Sequence, residues 1–181
     1  PTGGADVLLT SAVTASQRLS PVSYIGANTF FFHQGEQISL TTLQKRLAAA
    51  GYANVKQVLA AGEFAVRGSI VDVFPMGSER PFRLDFFDDE IESIRWFDVD
   101  TQRSMESAEE IRLLPGHEFP VDPEALLAFR QRWRREFAGD PKKSIVYCDI
   151  EKEILPPGIE YYLPLFFDET AALTDYLPPN A

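Results

Sequence analysis

Hydrophobic positions change their period along this chain, and each change marks an element. Leu40, Leu43, Leu47 and Ala50 recur at helical spacing, with Ser39 placed as an N-cap and Gly51 as the stop. From Val55 to Leu114 the period becomes two. Phe64-Ala65-Val66, Ile70-Val71-Asp72-Val73-Phe74, Phe82 to Phe87 and Ile91 to Val99 read as short strands separated by Gly, Pro, Ser or Asp. Pro75-Met76-Gly77-Ser78 is a turn and Asp88-Asp89-Glu90 a hairpin tip. These runs predict an antiparallel meander with one helix packed against it.

The flanks follow other patterns. Val7-Leu8-Leu9-Thr10 reads as a buried strand, and residues 12–19 as a short helix ended before Pro21. A strand followed by a helix is half of a βαβ unit, although its other strands are not evident. Phe30-Phe31-Phe32-His33 is a further strand, stopped by Gln34-Gly35. Beyond Leu114-Pro115-Gly116, Asp122-Pro123 supplies an N-cap and an N1 proline, and Leu126, Phe129, Trp133 and Phe137 form one helical stripe. The tail from Pro156 to Pro179 is rich in aromatics and prolines. Within it, Leu165-Phe166-Phe167 is either a strand or an apolar patch awaiting cover. The expected fold class is α+β with α/β elements, an antiparallel β-sheet domain carrying a packed helix.

Composition narrows the function. The 181 residues are 45% hydrophobic and 24% charged, as in a globular chain. Seventeen basic against 27 acidic side chains leave −10, which disfavours phosphate backbones unless cations cluster. Cys148 is a single thiol, so no internal disulfide is possible, and it fits a reducing, cytoplasmic setting. With His33 and His117 the only histidines, a structural metal centre is not expected. There is no apolar run of about 18 residues and no secretory leader pattern, so no membrane association is expected. The chain starts at Pro1 without a methionine, and is expected to be a piece of something longer. It lacks G-x-x-x-x-G-K-[ST], G-x-G-x-x-G and G-x-S-x-G, so neither nucleotide hydrolysis nor another enzymatic activity is expected of it, and no cofactor.

Strand parity isolates the candidate site. Phe82, Leu84 and Phe86 share a core face; Arg83, Asp85 and Phe87 share the other. The strand of Phe64 and Val66 similarly turns Glu63, Ala65 and Arg67 away from the core. Arginine and aromatic side chains dominate interface hot spots, so this face reads as a docking surface with Arg67, Arg83 and Phe87 facing solvent. The alternative is a solvated face, with Asp85 pairing Arg83 and Phe87 under a loop. The carboxylates of Asp85, Asp88, Asp89 and Glu90 lack EF-hand spacing and its glycine, and read as a charged tip. Arg130, Arg132, Arg134, Arg135, Lys142 and Lys143 read as a solvated helix face or a phosphate contact.

The stretch Gly62-Glu63-Phe64-Ala65-Val66-Arg67-Gly68-Ser69-Ile70-Val71-Asp72-Val73-Phe74-Pro75 resembles a segment shared by UvrB and the bacterial transcription-repair coupling factor family (Mfd). Phe82-Arg83-Leu84-Asp85-Phe86-Phe87-Asp88-Asp89-Glu90-Ile91 resembles the next block. Pro75-Met76-Gly77-Ser78, Leu113-Leu114-Pro115-Gly116-His117-Glu118-Phe119-Pro120 and Gly158-Ile159-Glu160-Tyr161-Tyr162 are more similar to the coupling factors than to UvrB. The likeness runs through most of the chain and is weakest over residues 138–153. It implies a truncated, degenerate helicase-like domain 1 (residues 1–28 and 114–181), split by an inserted domain 2 (residues 29–113) that binds UvrA, the damage-recognition ATPase of nucleotide excision repair. The UvrA-contacting positions it implies are Arg67, Arg83 and Phe87. RNA polymerase, double-stranded DNA and ATP would be handled by domains of the full protein that are absent here. The competing class is a UvrB-like DNA-binding or helicase-accessory module.

Overall fold

The computed structural model describes Val7 and residues 9–177. In chain order its named elements are α1 (Ala12–Ala15), α2 (Val22–Ala27), β1 (Phe30–His33), α3 (Leu40–Ala49), β2 (Ala53–Asn54), β3 (Glu63–Arg67), β4 (Ile70–Phe74), β5 (Phe82–Phe87), β6 (Glu90–Phe97), β7 (Ser104–Ala108), β8 (Glu110–Leu113), α4 (Pro123–Glu136) and α5 (Ile145–Glu151). Short 3-10 turns follow at Pro141–Lys143, Ile159–Leu165 and Leu173–Tyr176. This is an α+β chain. It divides into two compact units, Ile25–Ala125 and the residues through Tyr24 together with those from Leu126 onward.

The unit Ile25–Ala125 is built on a sheet in the order β2-β3-β4-β5-β6-β7. Strands β3 to β7 pair antiparallel with sequential neighbours, which short hairpins make geometrically easy. The two residues of β2 add in parallel to β3. Strands β1 and β8 form a separate antiparallel pair, Phe32 opposite Ile111.

Helix α3 begins where Ser39 Oγ accepts the Thr42 N–H at 3.2 Å. It ends in a Schellman arrangement, the Tyr52 N–H donating to the Leu47 carbonyl and the Gly51 N–H to the Ala48 carbonyl, each at 3.0 Å. Gly51 has φ +86°, a conformation that favours glycine. The buried side of α3, Leu43 and Leu47, packs in one cluster with Phe64, Val71, Val73, Phe82, Leu84, Phe86, Ile91 and Ile94 of the sheet and Phe32, Ile111 and Leu113 of the small sheet. Truncating a side chain such as Leu43 to alanine typically costs about 2–5 kcal/mol in such a core.

The second unit is held by aromatic packing. Phe129 packs against Phe166 with ring centroids 4.8 Å apart, and Trp133 against Tyr162 at 5.1 Å and Phe137 at 4.5 Å, all in tilted pairs. Phe137 ends the predicted stripe half-exposed. Arg132 donates to the Leu165 carbonyl at 3.1 Å and to Asp168 at 2.5 Å. Leu19 and Ala171 exchange two backbone hydrogen bonds, at 2.8 and 2.9 Å.

Several local expectations are corrected. The strand expected over Val7–Thr10 does not form at Val7, Leu9 or Thr10, and Leu8 lies outside the described residues. Val7 and Leu9 are 75% and 92% exposed, and no strand among the described residues pairs with them. The helix expected over residues 12–19 stops after Ala15, where Ser16 caps it, and α2 follows Pro21 instead. Among the described residues the sole parallel pairing is β2 with β3, so no βαβ unit is seen. Leu165 and Phe166 are buried at the end of a 3-10 turn rather than in a strand. The hairpin tip is Asp88-Asp89, since Glu90 already belongs to β6.

Candidate protein-docking site

Three adjacent strands carry the site. A two-residue turn at Gly68-Ser69 joins β3 to β4, Gly68 having φ +62°. Register places Ala65 opposite Asp72, Asp72 opposite Arg83, and Arg83 opposite Arg95. Because side chains alternate, Ala65, Arg67, Asp72, Arg83, Asp85, Phe87 and Arg95 point to one side of the sheet, away from the main core.

The parity expected for β5 is observed. Phe82, Leu84 and Phe86 are buried, whereas Phe87 is 70% exposed. A large apolar side chain that exposed, flanked by charge, is the kind of feature that interaction surfaces carry.

Of the two arginines expected to face solvent, Arg67 does so and Arg83 does not. Both converge on the carboxylate of Asp72, which is fully buried. Arg83 grips it as a fork, Nε donating to Oδ1 at 2.6 Å and Nη2 to Oδ2 at 2.9 Å. Its Nη1 donates to the Gln102 carbonyl and to Ser104 Oγ, both at 3.1 Å, and its guanidinium lies over the Phe97 ring at 4.9 Å. The Arg83 side chain is therefore 13% exposed, a correction to the solvent-facing reading. The hydrogen bond to Asp72 is the main reason its guanidinium holds its proton even more firmly than usual. Arg67 donates through Nη2 to Asp72 Oδ2 and keeps a side chain 46% exposed.

The cause of the correction is the segment after β6. Asp98 accepts from Thr101, which lowers the pKa of its exposed carboxyl, and Gln102 adopts φ +58°. Residues 98–104 thus fold back over the sheet. Val58, Ala65 and Phe97 form a small second cluster on this face, with Val55, Phe74 and Val99 around it. Ala65 is accordingly buried rather than solvent-facing. Asp85 does not pair Arg83; it accepts from Ser93 Oγ at 2.7 Å.

Two members of this face were not singled out from the sequence. Asp72 had a visible signal, a lone acid inside the apolar run Ile70-Val71-Asp72-Val73-Phe74, which demands a cation if buried. Arg95 had none, because its place beside Arg83 depends on a register that shifts after Asp85. It is exposed and makes no hydrogen bond or ion pair among the described residues.

Elsewhere, no group of three or more His, Cys, Asp or Glu side chains is placed to hold a metal ion among the described residues. No helix among them is long and apolar enough to cross a membrane. Of the basic cluster, Arg132 is engaged by Leu165 and Asp168, and Arg134 lies 5.6 Å over the Tyr147 ring.

Residues 30–119 match the family described as the UvrB interaction domain, a span that contains every residue of this face. Over 99% of its length the chain is 46% identical to the transcription-repair-coupling factor of Escherichia coli (strain K12), covering 16% of that protein. It is 49% identical over 95% of its length to the Haemophilus influenzae factor, covering 15% of it. The Bacillus subtilis factor is 33% identical over 98% of the chain, which again covers 16% of that protein. The chain, which spans a small part of these relatives' length, belongs to the transcription-repair-coupling factor family and carries its UvrB interaction domain.

Proposed function

We propose that this chain is a non-catalytic docking module that recruits UvrA in transcription-coupled nucleotide excision repair, presenting to UvrA a surface like that of UvrB. Phe87 is the observation that carries the reading. A phenylalanine 70% exposed at the end of a strand, on the same side of the sheet as a buried arginine–carboxylate centre, contributes little burial to the fold but suits an aromatic anchor for a partner pocket. Arg67 lies on the same side of the sheet with its side chain 46% exposed, so a complementary surface would offer an apolar pocket for Phe87 and a carboxylate for Arg67. In this reading the module works in the cytoplasm within a longer factor. The remainder of that factor uses ATP, holds DNA and displaces stalled RNA polymerase, and residues 1–28 and 114–181 are the remnant of a helicase-like domain.

Titration of the 181-residue chain with purified UvrA tests the reading. Saturable binding that is lost with Phe87→Ala is expected. No heat and no complex at tens of micromolar, or undiminished binding by Phe87→Ala, would place the docking site elsewhere.

A further inference from the structure

We propose that Asp72 is the positioning residue of the docking face, its buried carboxylate fixing the orientation of Arg67 before a partner arrives. This rests on the docking reading above.

The geometry is that of a preset pair. Asp72 is fully buried in the middle of β4. A carboxylate there must be paired and hydrogen-bonded. Its two oxygens are divided between the arginines: Oδ1 takes Arg83 Nε, and Oδ2 takes Nη2 of both Arg83 and Arg67. Arg83 is fixed further by Gln102 and Ser104. Arg67 has no such second anchor. Its Nη2 bond to Asp72 is its one hydrogen bond among the described residues, and it leaves the Nε and Nη1 donors free for a partner carboxylate. An arginine that is already oriented loses less freedom on binding, so the tether acts on affinity without touching the partner.

Charge and positioning predict opposite signs. Two guanidiniums and one carboxylate leave the centre with a single positive charge. Asp72→Asn raises this to two, which by attraction alone would tighten binding to an acidic surface. Positioning predicts the reverse, because the freed Arg67 must be ordered at each encounter.

The test is a double-mutant cycle read by association and dissociation rates against purified UvrA. Asp72→Asn should bind at least tenfold more weakly, with the loss in the dissociation rate. In an Arg67→Ala background the same change should alter affinity less than twofold. Binding by Asp72→Asn as tight as wild type or tighter overturns the proposal, as does an equal fold-loss in both backgrounds, which marks a merely structural role. Should Phe87→Ala bind like wild type, the docking reading itself falls and this proposal with it. A loss in Phe87→Ala with equal losses in the cycle defeats this proposal alone. If Asp72→Asn fails to fold, side-chain relaxation of the wild-type chain decides. The Arg67 Nε–H should be as ordered as the β3 backbone, and a freely moving guanidinium overturns the proposal.

Discussion

Gly116 lies directly on the backbone of Gly51. Its N–H donates to the Ala50 carbonyl at 2.6 Å, and a Cβ on Gly116 would come within 2.6 Å of the Gly51 carbonyl carbon and oxygen. The neighbour is main chain, held in the C-terminal cap of α3, so it has little room to yield. Gly116→Ala should therefore cost about 1–3 kcal/mol through overpacking. Urea denaturation of the two proteins measures it, and an unchanged midpoint would contradict this contact.

Helix α3 and the faces of β5 were legible because the information is local. Ser39, the leucine spacing and Gly51 act within one helix, and alternation within one strand sorts Phe86 from Phe87. What was not legible depends on distant chain. Arg83 has the parity of an exposed residue, yet residues 98–104 fold over it and Asp72 meets it from the next strand. Similarly, Ala65 is buried by Val58 and Phe97 rather than by anything in its own strand. The run Val7-Leu8-Leu9-Thr10 is as apolar as a strand, but Val7 and Leu9 pair with no strand among the described residues and are 75% and 92% exposed.

Phe86 and Phe87 are adjacent and should behave oppositely. Phe86 is 6% exposed within the main core, and its truncation to alanine should destabilise the chain by about 3–5 kcal/mol. Phe87→Ala should leave the melting temperature nearly unchanged while weakening UvrA binding by about 2 kcal/mol or more. Thermal melts paired with titrations decide it. An early melt for Phe87→Ala with a normal melt for Phe86→Ala would invert the assigned faces.

The two arginines should also separate in stability. Arg83→Ala leaves a fully buried carboxylate with the half-exposed Arg67 alone, and removal of one member of a buried pair typically costs about 3–5 kcal/mol. Arg67→Ala leaves the Arg83 fork intact and should cost about 1 kcal/mol or less. Equal destabilisation in chemical denaturation would show that the fork is not the dominant partner of Asp72.

His117 gives the fold a pH dependence. The imidazole is half-buried, stacked on Phe119 with ring centroids 5.6 Å apart, and burial lowers its pKa below the usual 6.5. In the unfolded chain it takes up a proton near pH 6.5, whereas in the folded chain it resists until lower pH. The unfolded state thus binds more protons in that window, and stability falls as pH drops below about 6.5. Between pH 8 and 5.5 the wild type should lose more stability than His117→Gln, whose offset is independent of pH. An equal or smaller loss in the wild type would contradict the burial argument.

Arg95 poses the sharpest separation of stability from binding. It stands directly opposite Arg83 across the β5–β6 pair, on the same side as Phe87, with no hydrogen bond or ion pair among the described residues. Like charges in that position repel and weaken a sheet by a few tenths of a kcal/mol to about 1 kcal/mol. Arg95→Ala should therefore melt at or slightly above the wild-type temperature. If the face docks an acidic surface, the same change removes an exposed attractive charge. UvrA binding should weaken about threefold to tenfold, chiefly in the association rate and most visibly at low salt. Charge reversal to glutamate should deepen the loss. Mutants that fold as well as or better than wild type yet associate more slowly would mark Arg95 as part of the docking face. Association at the wild-type rate across salt concentrations would restrict that face to Arg67, Arg83 and Phe87.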